Sequence, residues 1–566
     1  MSHAPDGVSR ESQGPMSWLA PLLVLVASAL FFAININDGI GLHDEFYHLL
    51  AARGVLETGE PRIAEGAYTR GLLFTHIVAL AIDIFGDSLG AARLPSVIFM
   101  AMTNAVLFVW VRRAAGPVAA WTTVILFALS PFAVLTAQYV RFYALQTLAF
   151  TVFAWLVYEA VTLSPPTWRR WLCGLLSLPF LGLAAYLQPT TFLGLTGVAV
   201  WVSGFFALPW LSDPDVPATY KRNAFLALLG AGIAALVTGL SSGILADAWQ
   251  AYRMTPYFNE PARNDFWYYH LWYTLFYPSL WPAIGILSLI AIAGRPRIAG
   301  FAVTVFAISF ILNSLAGSKE LRYIAYAQAF MFVIAGIAFA VVLPGLMAFF
   351  RGLLQRLVPV LPVPPAVASK LATAALVTAL LVLLLANPFW LRTVTLLADV
   401  TVPGEDPDTQ MPLAADILGP AIDAADIVIA AEELQYLYYF GRFDVQFSPT
   451  KFAELPEGQR HPFGRDVRTG LPVIEDLDSL GLLMDCYRTG IVSAPERRWN
   501  NRANLTKEAT GFIIEHAEPL ELPGASHVRA YRWDHGPGWA PDGRCSALGE
   551  LGLPPAGMDN KEGDRS

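Results

Sequence analysis

Four ionisable side chains lie within six positions directly after the first long apolar run of the chain. The stretch is GLHDEFYHLL (41–50), and it contains His43, Asp44, Glu45 and His48. It follows WLAPLLVLVASALFFAIN, a run long enough to cross a bilayer. Ionisable residues in or beside a membrane are costly and are usually functional, although a carboxylate at the interface can be merely solvated. The grouping in one short turn favours a functional carboxylate pair.

Metal binding is an alternative for the same turn. His43 and His48 are five positions apart, which on a helix is a rotation of about 140°, so they do not share a face as an HExxH pair does. Glu45 and His48 have the Glu-x-x-His spacing of di-iron bundles, but that site needs a second such pair from another helix. The spanning runs contain no second pair, so no cofactor is predicted and a divalent metal stays an open alternative.

Other catalytic and nucleotide-binding motifs are weak or absent in the sequence. GLSSG (239–243) matches the G-x-S-x-G pattern around Ser241. That motif requires a strand, a turn and a helix in an α/β sheet, whereas here it ends an apolar run in which small residues serve helix packing. Neither the Rossmann nor the P-loop glycine pattern occurs, so those means of binding a nucleotide are excluded.

Composition places the chain in the membrane. Of 566 residues, 55% are hydrophobic and 14% are charged, whereas a soluble protein has about 25% charged residues. The fold class predicted is a polytopic α-helical membrane protein with about eleven spanning helices. The predicted spans are 18–36, 90–111, 117–137, 142–163, 171–187, 190–211, 224–246, 272–293, 298–316, 322–348 and 370–391.

The basic residues between the spans predict the orientation. Arginines and lysines fall in alternate loops, which the positive-inside rule places in the cytoplasm. The N-terminal segment 1–17 is then cytoplasmic, and the loop 37–89 with Asp44 and Glu45 is outside. The apolar run 71–85 is too short to span and carries His76 and Asp83, so it is predicted as an interfacial helix within that loop.

The composition changes to polar and mixed after about residue 393. DIVIAA (426–431), GIVSAP and HVRAYRW read as strands and DLDSLGLLMDCYRTG as a helix, so a small extracytoplasmic α/β domain is predicted over 393–535 after the membrane domain 18–392. The Gly/Pro-rich and charged end, 536–566, is predicted to be disordered. Cys486 and Cys545 are candidates for a disulfide outside the cytoplasm, and Cys173 reads as a small hydrophobic residue.

A second group of candidate residues lies in the segments predicted to be outside. Basic residues there run against the positive-inside trend, so they need a reason. One explanation is that Lys319, Glu320 and Arg322 pair with one another. An anionic ligand such as a lipid phosphate explains the group of basic residues better. Aromatic residues of 266–273 fit an interfacial belt and sugar stacking equally well. The group comprises Arg141, Tyr143, Gln188, Arg263, His270, Lys319, Arg322 and Tyr323.

The order of these motifs resembles the GT-C class of polyprenyl-phosphate-sugar-dependent glycosyltransferases. The chain is similar to the aminoarabinose transferases of lipid A and the protein O-mannosyltransferases over nearly its whole length. The resemblance includes KELRYI, which is similar to a His-Lys-Glu-x-Arg-Phe motif of lipid-linked mannosyltransferases. The other stretches that carry it are HDEFYHLLAARGVLETG, IFGDSLGAARLPSVIF, RFYAL and YLYYFGRFDVQFSP.

The resemblance implies an inverting membrane glycosyltransferase. It would move a monosaccharide from a polyprenyl-phosphate donor to a lipid, glycan or protein acceptor at the outer face of the plasma membrane. Asp44 would be the general base, and Glu45 would orient the acceptor or a basic neighbour. The donor phosphate would contact Arg70, Arg141, Lys319, Arg322 and Tyr323. His43, His48, Tyr143, Gln188, Arg263 and His270 would be further substrate contacts.

Two departures from the family and three alternatives remain. Where family members often carry His-Pro-Pro-Leu, this chain has YTRGLL with Arg70, and a loop that is often basic carries Gln188. A lipid or solute transporter predicts repeats and mid-bilayer charges. A ligase of lipid-diphosphate-linked glycans would share the outer cations, and a non-catalytic scaffold would leave their grouping unexplained. The sugar, acceptor, polyprenyl length and oligomeric state are not readable from the sequence.

Overall fold

The protein divides into two compact units, Met1–Ile36 with Arg93–Val400 and Asn37–Ala92 with Thr401–Ser566. The segment 37–92 therefore belongs with the C-terminal region rather than with the helices on either side of it in sequence. The computed structural model describes residues 18–37, 43–163, 168–214, 216–241, 244–253, 265–357, 387–398, 410–460, 463–541 and 543–545, with isolated positions at 364–379, 548 and 553.

Helices make up nearly all of the described first unit and part of the second. In chain order, the helices up to residue 357 are α1 Leu19–Phe32, α2 Glu45–Thr58, α3 Leu72–Phe85, α4 Leu89–Ala115, α5 Pro117–Ala128, α6 Pro131–Ala137, α7 Tyr143–Thr162, α8 Trp168–Leu187, α9 Thr191–Val202, α10 Leu208–Ser212, α11 Ala218–Ser241, α12 Ile244–Arg253, α13 Tyr268–Phe276, α14 Leu280–Gly294, α15 Pro296–Leu315 and α16 Ala325–Leu357. A further helix, Pro388–Leu397, ends the described part of the first unit.

Six helical stretches in the described residues are long and apolar enough to cross a membrane, and two bent helix pairs raise the number to eight. This confirms the polytopic helical class. Helices α1 and α3 are apolar but shorter than the six membrane-length stretches, and α3 covers the run predicted to be interfacial. The predicted span 370–391 is described only in part, so the count of about eleven stays a prediction.

Proline accounts for the two sharp bends. Helices α5 and α6 meet at 64°, and α13 and α14 meet at 95°. The first bend lies at Ser130-Pro131, where the Ser130 hydroxyl accepts from the Ala133 amide and Pro131 starts the new helix. Proline lacks the amide hydrogen that a continuing helix requires, so the chain must begin a new helix there. Pro278 lies at the second bend.

Neutral hydrogen bonds join several of the polar side chains buried inside the first unit. Ser130 and Tyr277 hydroxyl oxygens are 2.7 Å apart, and the Tyr277 hydroxyl donates to Gln328 Oε1 at 2.8 Å. Asn313 Nδ2 donates to the Tyr326 hydroxyl at 3.2 Å. An apolar environment penalises an unpaired polar group, so hydrogen-bonded neutral groups are the ones that such an interior accommodates.

The first part of the second unit is a compact helical hairpin with a small β-ribbon. Helix α2 ends at Gly59, whose φ of 81° is a left-handed conformation that glycine adopts without strain. Strands β1 (Arg62–Ile63) and β2 (Gly66–Ala67) pair antiparallel before α3. Gly66 approaches the backbone of residues 468–469 closely, and a Cβ at Gly66 would lie 2.2 Å from the Arg468 carbonyl oxygen. Glycine is therefore required at this contact.

The second part is an α/β layer with a seven-stranded sheet in the order β5-β6-β4-β3-β7-β9-β8. Strands β6, β4, β3 and β7 are parallel, and β5, β8 and β9 are antiparallel to their neighbours. The strands after the β-ribbon are β3 Ile427–Ala430, β4 Val445–Phe447, β5 Gly464–Arg465, β6 Pro472–Ile474, β7 Thr489–Pro495, β8 Glu518–Leu520 and β9 Val528–Asp534. The sheet's helices are Met411–Ala424, Glu433–Tyr439, Pro449–Glu454, Leu477–Cys486 and Lys507–His516.

The α/β character predicted for the C-terminal region is confirmed by this sheet. The three stretches read as strands form β3, β7 and β9, and the predicted helix forms Leu477–Cys486. A disulfide joins Cys486 to Cys545, 59 positions apart in sequence, with a Cα–Cα distance of 5.4 Å. Cys173 is free and half-buried. Most of 536–566 lies outside the described residues.

Candidate functional site

The carboxylate pair lies at the N-terminal end of α2. Asp44 is the N-cap residue and is partly exposed, whereas Glu45 begins the helix and is fully buried. A carboxylate at a helix N-terminus faces the positive end of the helix dipole and its first amide groups. Two neighbouring carboxylates are thus in different environments, since Asp44 reaches solvent and Glu45 does not.

His48 is a structural residue of the same helix. It is fully buried, with Nδ1 2.9 Å from the Thr75 hydroxyl oxygen and Nε2 3.3 Å from the Tyr68 hydroxyl oxygen. Its ring also meets the edges of the Tyr68 and Phe74 rings. Both ring nitrogens are therefore engaged, and His48 joins α2 to α3 and to the segment that follows the β-ribbon.

His43 points into the C-terminal sheet region of the same unit. Its Nδ1 pairs with Glu432 Oε1, and its Nε2 lies 4.0 Å from Glu433 Oε1. Both glutamates directly follow strand β3. Glu432 is fully buried and also accepts from the Arg498 guanidinium at 2.5 Å, so the carboxylate lies between two cations when His43 is protonated.

A second ion-pair group adjoins Glu432 and Glu433. Lys451 Nζ is 2.9 Å from Glu433 Oε1 and 3.5 Å from Asp466 Oδ2. Arg468 donates to the Tyr47 hydroxyl at 2.9 Å, and its Nε is 3.5 Å from Asp466 Oδ1. Tyr47 belongs to the first turn of α2, and His43 lies just before the helix, so the start of α2 contacts the charged cluster at two residues.

Burial and ion pairing shift the pKa values of His43 and Glu433 in opposite directions. Burial alone lowers the pKa of His43, but the charge and hydrogen bond of Glu432, with the charges of Glu433 and Asp44, outweigh it and raise that pKa. Burial raises the pKa of Glu433, but Lys451 and His43 overcome this and bring it to about 2. Burial raises the pKa of Tyr47 to about 12. The cluster therefore favours charged carboxylates, a protonated His43 and a neutral phenol.

His43, Glu432 and Glu433 also have the proximity of a metal site, since one ligand atom from each lies within 4.8 Å of the others. The chemistry of the set does not fit a cation well. Arg498 and Lys451 already hold positive charge against both carboxylates, and a divalent ion would be repelled by them. An ion-pair network describes this arrangement better.

Apolar and aromatic contacts extend the attachment of α2. The Phe46 ring is 4.9 Å from the Tyr438 ring, centroid to centroid, and Arg53 lies 4.3 Å above the Tyr438 ring. Leu50 and Leu434 belong to the same buried cluster. The Glu65 and Gly66 amides both donate to the Thr469 carbonyl at 3.0 Å. The loop that carries Asp44 is thus held along its length by the C-terminal region of its own unit.

Arg70, the other candidate in this unit, is exposed. It lies in the turn before α3, one position ahead of Gly71, whose φ of 57° is left-handed. Its position in sequence corresponds to the family's His-Pro-Pro-Leu stretch. An exposed guanidinium on this turn is available to an anionic ligand.

In the first unit, two of the predicted phosphate-binding segments come together. Arg322 Nη1 donates to the Tyr139 hydroxyl at 3.2 Å, and the Tyr143 and Tyr323 ring centroids are 6.4 Å apart. Arg141 is buried beside the Phe142 ring. The segments 139–143 and 319–323, whose contacting residues Tyr139 and Arg322 are 183 positions apart in sequence, therefore lie side by side.

Lys319 belongs to the same group. It is 2% exposed, and its Nζ donates to the Ala316 carbonyl at 2.5 Å. Burial lowers its pKa, while the charge of Asp265 acts in the opposite direction. Burial of an ammonium group is costly without compensating charge, so a nearby anion would favour its charged form.

The remaining candidates of the first unit occupy separate positions. His270 accepts at Nδ1 from the Trp281 indole at 3.0 Å and packs among the Trp267 and Trp281 rings. Gln188 is half-buried at the turn after α8, where its carbonyl accepts from the Thr191 amide. Arg263 lies outside the described residues.

The residues that sequence reasoning missed are those of the charged cluster. Glu432 and Glu433 follow β3, Lys451 follows β4, and Arg498 follows β7. In doubly wound parallel sheets the functional groups gather beyond the carboxyl ends of the strands. The strand read from DIVIAA, followed at once by two glutamates, was the available signal. Their partner His43, almost 390 positions earlier, could not be read from local pattern.

Comparison with known proteins gives one family match. Residues 69–215 match the family of dolichyl-phosphate-mannose-protein mannosyltransferases. That segment runs from the turn holding Arg70 through α10. No curated protein sequence matches the chain.

Two solved structures share the fold. ArnT from Cupriavidus metallidurans bound to undecaprenyl phosphate is 15% identical, with a TM-score of 0.57 over 92% of this chain and 98% of that one. The archaeal oligosaccharyltransferase AglB from Archaeoglobus fulgidus, in complex with an inhibitory peptide and a dolichol-phosphate, is 13% identical, with a TM-score of 0.50 over 85% of this chain and 70% of that one. The family match over residues 69–215 and the shared folds confirm the predicted resemblance to the GT-C class, and the chain has the multi-pass helical fold of the solved members of that class.

Proposed function

We propose that the protein transfers a monosaccharide from a polyprenyl-phosphate donor to an acceptor, by a single inverting displacement with Asp44 as the general base. The observation that carries the proposal is the position of Asp44. It is a partly exposed carboxylate at the N-terminal end of α2. The nearby His43 and Tyr47 are both held by contacts with other residues. A base so placed is accessible to a substrate and restrained in position.

The donor class is supported by the relatives. ArnT is bound to undecaprenyl phosphate and AglB to a dolichol-phosphate, and the matched family is described by its use of dolichyl-phosphate-mannose. A lipid-linked donor needs no nucleotide-binding glycine motif, in agreement with the sequence. It also accounts for a catalytic chain built mainly of membrane-spanning helices.

In the proposed step, an acceptor hydroxyl or amine attacks the anomeric carbon and transfers its proton to the Asp44 carboxylate. The bond between the anomeric carbon and the phosphate oxygen breaks, and its electron pair leaves with the lipid phosphate. Attack opposite the leaving group inverts the anomeric centre. Negative charge grows on the phosphate, so cationic and hydrogen-bonding groups must stabilise it.

The groups proposed for that phosphate are Lys319, Arg322 and Tyr323, with Arg141 and Arg70 as further contacts. Contacts between segments 139–143 and 319–323 support the shared assignment of Arg141, Arg322 and Tyr323. Burial of Lys319 supports its assignment too, because a desolvated ammonium interacts strongly with an anion. Tyr143, Gln188, Arg263 and His270 remain proposed substrate contacts, whereas His43, which pairs with Glu432, is assigned to holding the turn of Asp44 rather than to substrate.

Glu45 and His48 have supporting roles in the proposal. Glu45 is fully buried, which favours orienting a neighbouring group over contact with the acceptor. His48 has both nitrogens engaged within the protein, so it acts by fixing α2. We further propose a plasma-membrane location, with a cytoplasmic N-terminus and an extracytoplasmic C-terminal region, from the alternation of basic loops.

The test is sugar transfer in membranes from a panel of radiolabelled polyprenyl-phosphate monosaccharides. Asp44→Asn should reduce transfer by about 10²–10⁴-fold, the usual contribution of a general base. Asp83→Asn, the same change at an exposed residue of α3 in the same unit, should leave transfer unchanged. The anomeric configuration of the product should be opposite to that of the donor.

Two outcomes would reject parts of the proposal. Full activity of Asp44→Asn would remove Asp44 as the base and make Glu45→Gln the next variant to measure. If the wild type consumes none of the donors, and the purified protein in liposomes moves a lipid or a solute, the protein is a transporter. Transfer from a lipid-diphosphate glycan instead would indicate a ligase.

A further inference from the structure

The structure contains a connection between the C-terminal sheet and the turn of Asp44 that the proposed mechanism does not use. His43, directly before Asp44, pairs with Glu432, and Glu432 is held on its other oxygen by Arg498. Glu432 follows β3 and Arg498 follows β7. These adjacent parallel strands flank the place where the strand order of the sheet reverses.

That place is where doubly wound sheets commonly bind their ligands. The crevice beyond the carboxyl ends of the strands collects polar groups from several loops, because successive crossovers leave on opposite faces there. In this protein the crevice residues face the chain's own His43. At the edge of the sheet where a ligand commonly binds, the residue that is bound is therefore His43, from the turn that carries Asp44.

The attachment has two polar points, one on each side of Asp44. His43 is held by Glu432 and Glu433, and the Tyr47 hydroxyl accepts from Arg468 at 2.9 Å with Lys451 at 3.5 Å. The rings of His43 and Tyr47 meet edge to face at 5.7 Å. Asp44 lies between two anchored neighbours, so its position is fixed by residues of the C-terminal region.

The charge balance of the cluster also involves His43. Glu432 faces Arg498, Glu433 faces Lys451, and Asp466 faces Arg468 and Lys451. These carboxylates and cations balance without His43. A protonated His43 then balances Asp44, whose charge favours the imidazolium.

We propose that Glu432, oriented by Arg498, is a positioning residue that clamps His43 and thereby sets the position of Asp44, so that the C-terminal sheet is a required part of the catalytic apparatus. This inference rests on the proposed function for its effect on catalysis, whereas the clamp itself does not depend on it. A base displaced by about 1 Å can lose about 10²-fold in rate. Loss of the clamp should therefore lower kcat more than it raises KM.

Two variants of the full-length protein in lipid nanodiscs test the clamp. His43→Gln removes the imidazolium and leaves the Glu432–Arg498 pair intact, which protects the fold. Glu432→Gln removes the clamping charge and leaves His43 in place. Both should speed amide hydrogen exchange in the first turns of α2 and lower kcat by about 10- to 100-fold, with KM changed by less than about threefold. Glu518→Gln, at an exposed position of β8, is the matched control and should change neither.

A pH profile separates positioning from a purely structural role. The groups that face His43 are Asp44 and Tyr47 from its own segment, Glu432 and Glu433 after β3, and Arg497 and Arg498 after β7 through Glu432. Wild-type kcat should fall at high pH as His43 loses its proton, and Glu432→Gln should move that fall to lower pH. Glu432→Asp, which keeps the charge, should restore part of kcat and of the wild-type profile.

The outcomes decide between the clamp and its alternatives. Unchanged exchange in α2 of His43→Gln would overturn the clamp. Faster exchange with wild-type kcat would overturn the positioning role. Absence of sugar transfer by the wild type would reject the proposed function alone, since the exchange comparison would still confirm or overturn the clamp.

Discussion

Two buried polar networks of the protein, one in each unit, are held together by different physical means. In the first unit, the chain Ser130–Tyr277–Gln328 links neutral hydroxyl and amide groups. In the second unit, the buried groups around Glu432 and Glu433 are ions in contact with opposite charges. An unpaired charge is costly to bury, whereas ions in contact with opposite charges recover part of that cost.

The difference determines what each unit can do. Neutral hydrogen bonds fix helix positions and respond little to pH. A network of ions is strongly interdependent, because removal of one partner leaves another charge buried and unpaired. The loop with the proposed base is attached to the second kind of region, so its position is open to changes in charge that leave the spanning helices unaffected.

The largest effect is expected from breaking the ion network. Glu432→Gln leaves Arg498 without its buried carboxylate and should destabilise the second unit by about 3–5 kcal/mol. Urea-dependent pulse proteolysis of the full-length protein, read from C-terminal fragments, measures this. A loss below about 1 kcal/mol would show that the cluster is effectively solvated and would remove the contrast between the units.

The matched double change sharpens that result. Glu432→Gln combined with Arg498→Met removes both members of the pair and should recover much of the lost stability, because no charge remains unpaired. Strict additivity of the two single changes would instead indicate that the side chains act independently.

A covalent constraint also distinguishes the units. The chain has three cysteines, and the disulfide between Cys486 and Cys545 leaves Cys173 as the remaining thiol. Replacing both bridged cysteines by alanine should cost the second unit about 2–4 kcal/mol by freeing its unfolded chain. The same proteolysis assay applies, and Cys173→Ala provides the control, with little effect on the second unit.

A pH titration should affect the second unit selectively. The pKa of His43 is raised in the folded protein by Glu432 and Glu433 against the opposing effect of burial. The resulting stabilisation is fully present below the ordinary value of about 6.5 and is lost as the pH rises through the raised value. Amide exchange of α2, corrected for its intrinsic pH dependence, should therefore accelerate at high pH. His43→Gln should abolish this dependence, and an equal acceleration in α15 would contradict it.

The smallest effect is expected in the neutral network. Tyr277→Phe removes the hydroxyl between Ser130 and Gln328 and should cost about 0.5–1.5 kcal/mol, without pH dependence near neutrality. The change is measured by thermal unfolding of the protein in nanodiscs, monitored by amide hydrogen exchange in α13 and α14. A cost as large as that of Glu432→Gln would mean that both units depend on their polar networks equally.

Local pattern in the sequence carried much of this architecture. Apolar runs of membrane length fixed the helical class, and short β-branched runs between turn residues indicated strands β3, β7 and β9. The clustering of His43, Asp44 and Glu45 identified the turn at α2. These properties follow from burial of apolar surface and from backbone geometry, both of which act over a few neighbouring residues.

Only the tertiary structure decided which distant residues meet. It paired His43 with Glu432, grouped Asn37–Ala92 with Thr401–Ser566, and brought Tyr139 to Arg322. It also gave His48 and Asp44 different environments: both ring nitrogens of His48 contact other residues of the protein, whereas Asp44 reaches solvent. The physical reason is that an ion pair or a buried contact depends on the distance between two residues in space. The fold of the whole chain sets that distance, and the local sequence around each residue does not indicate it.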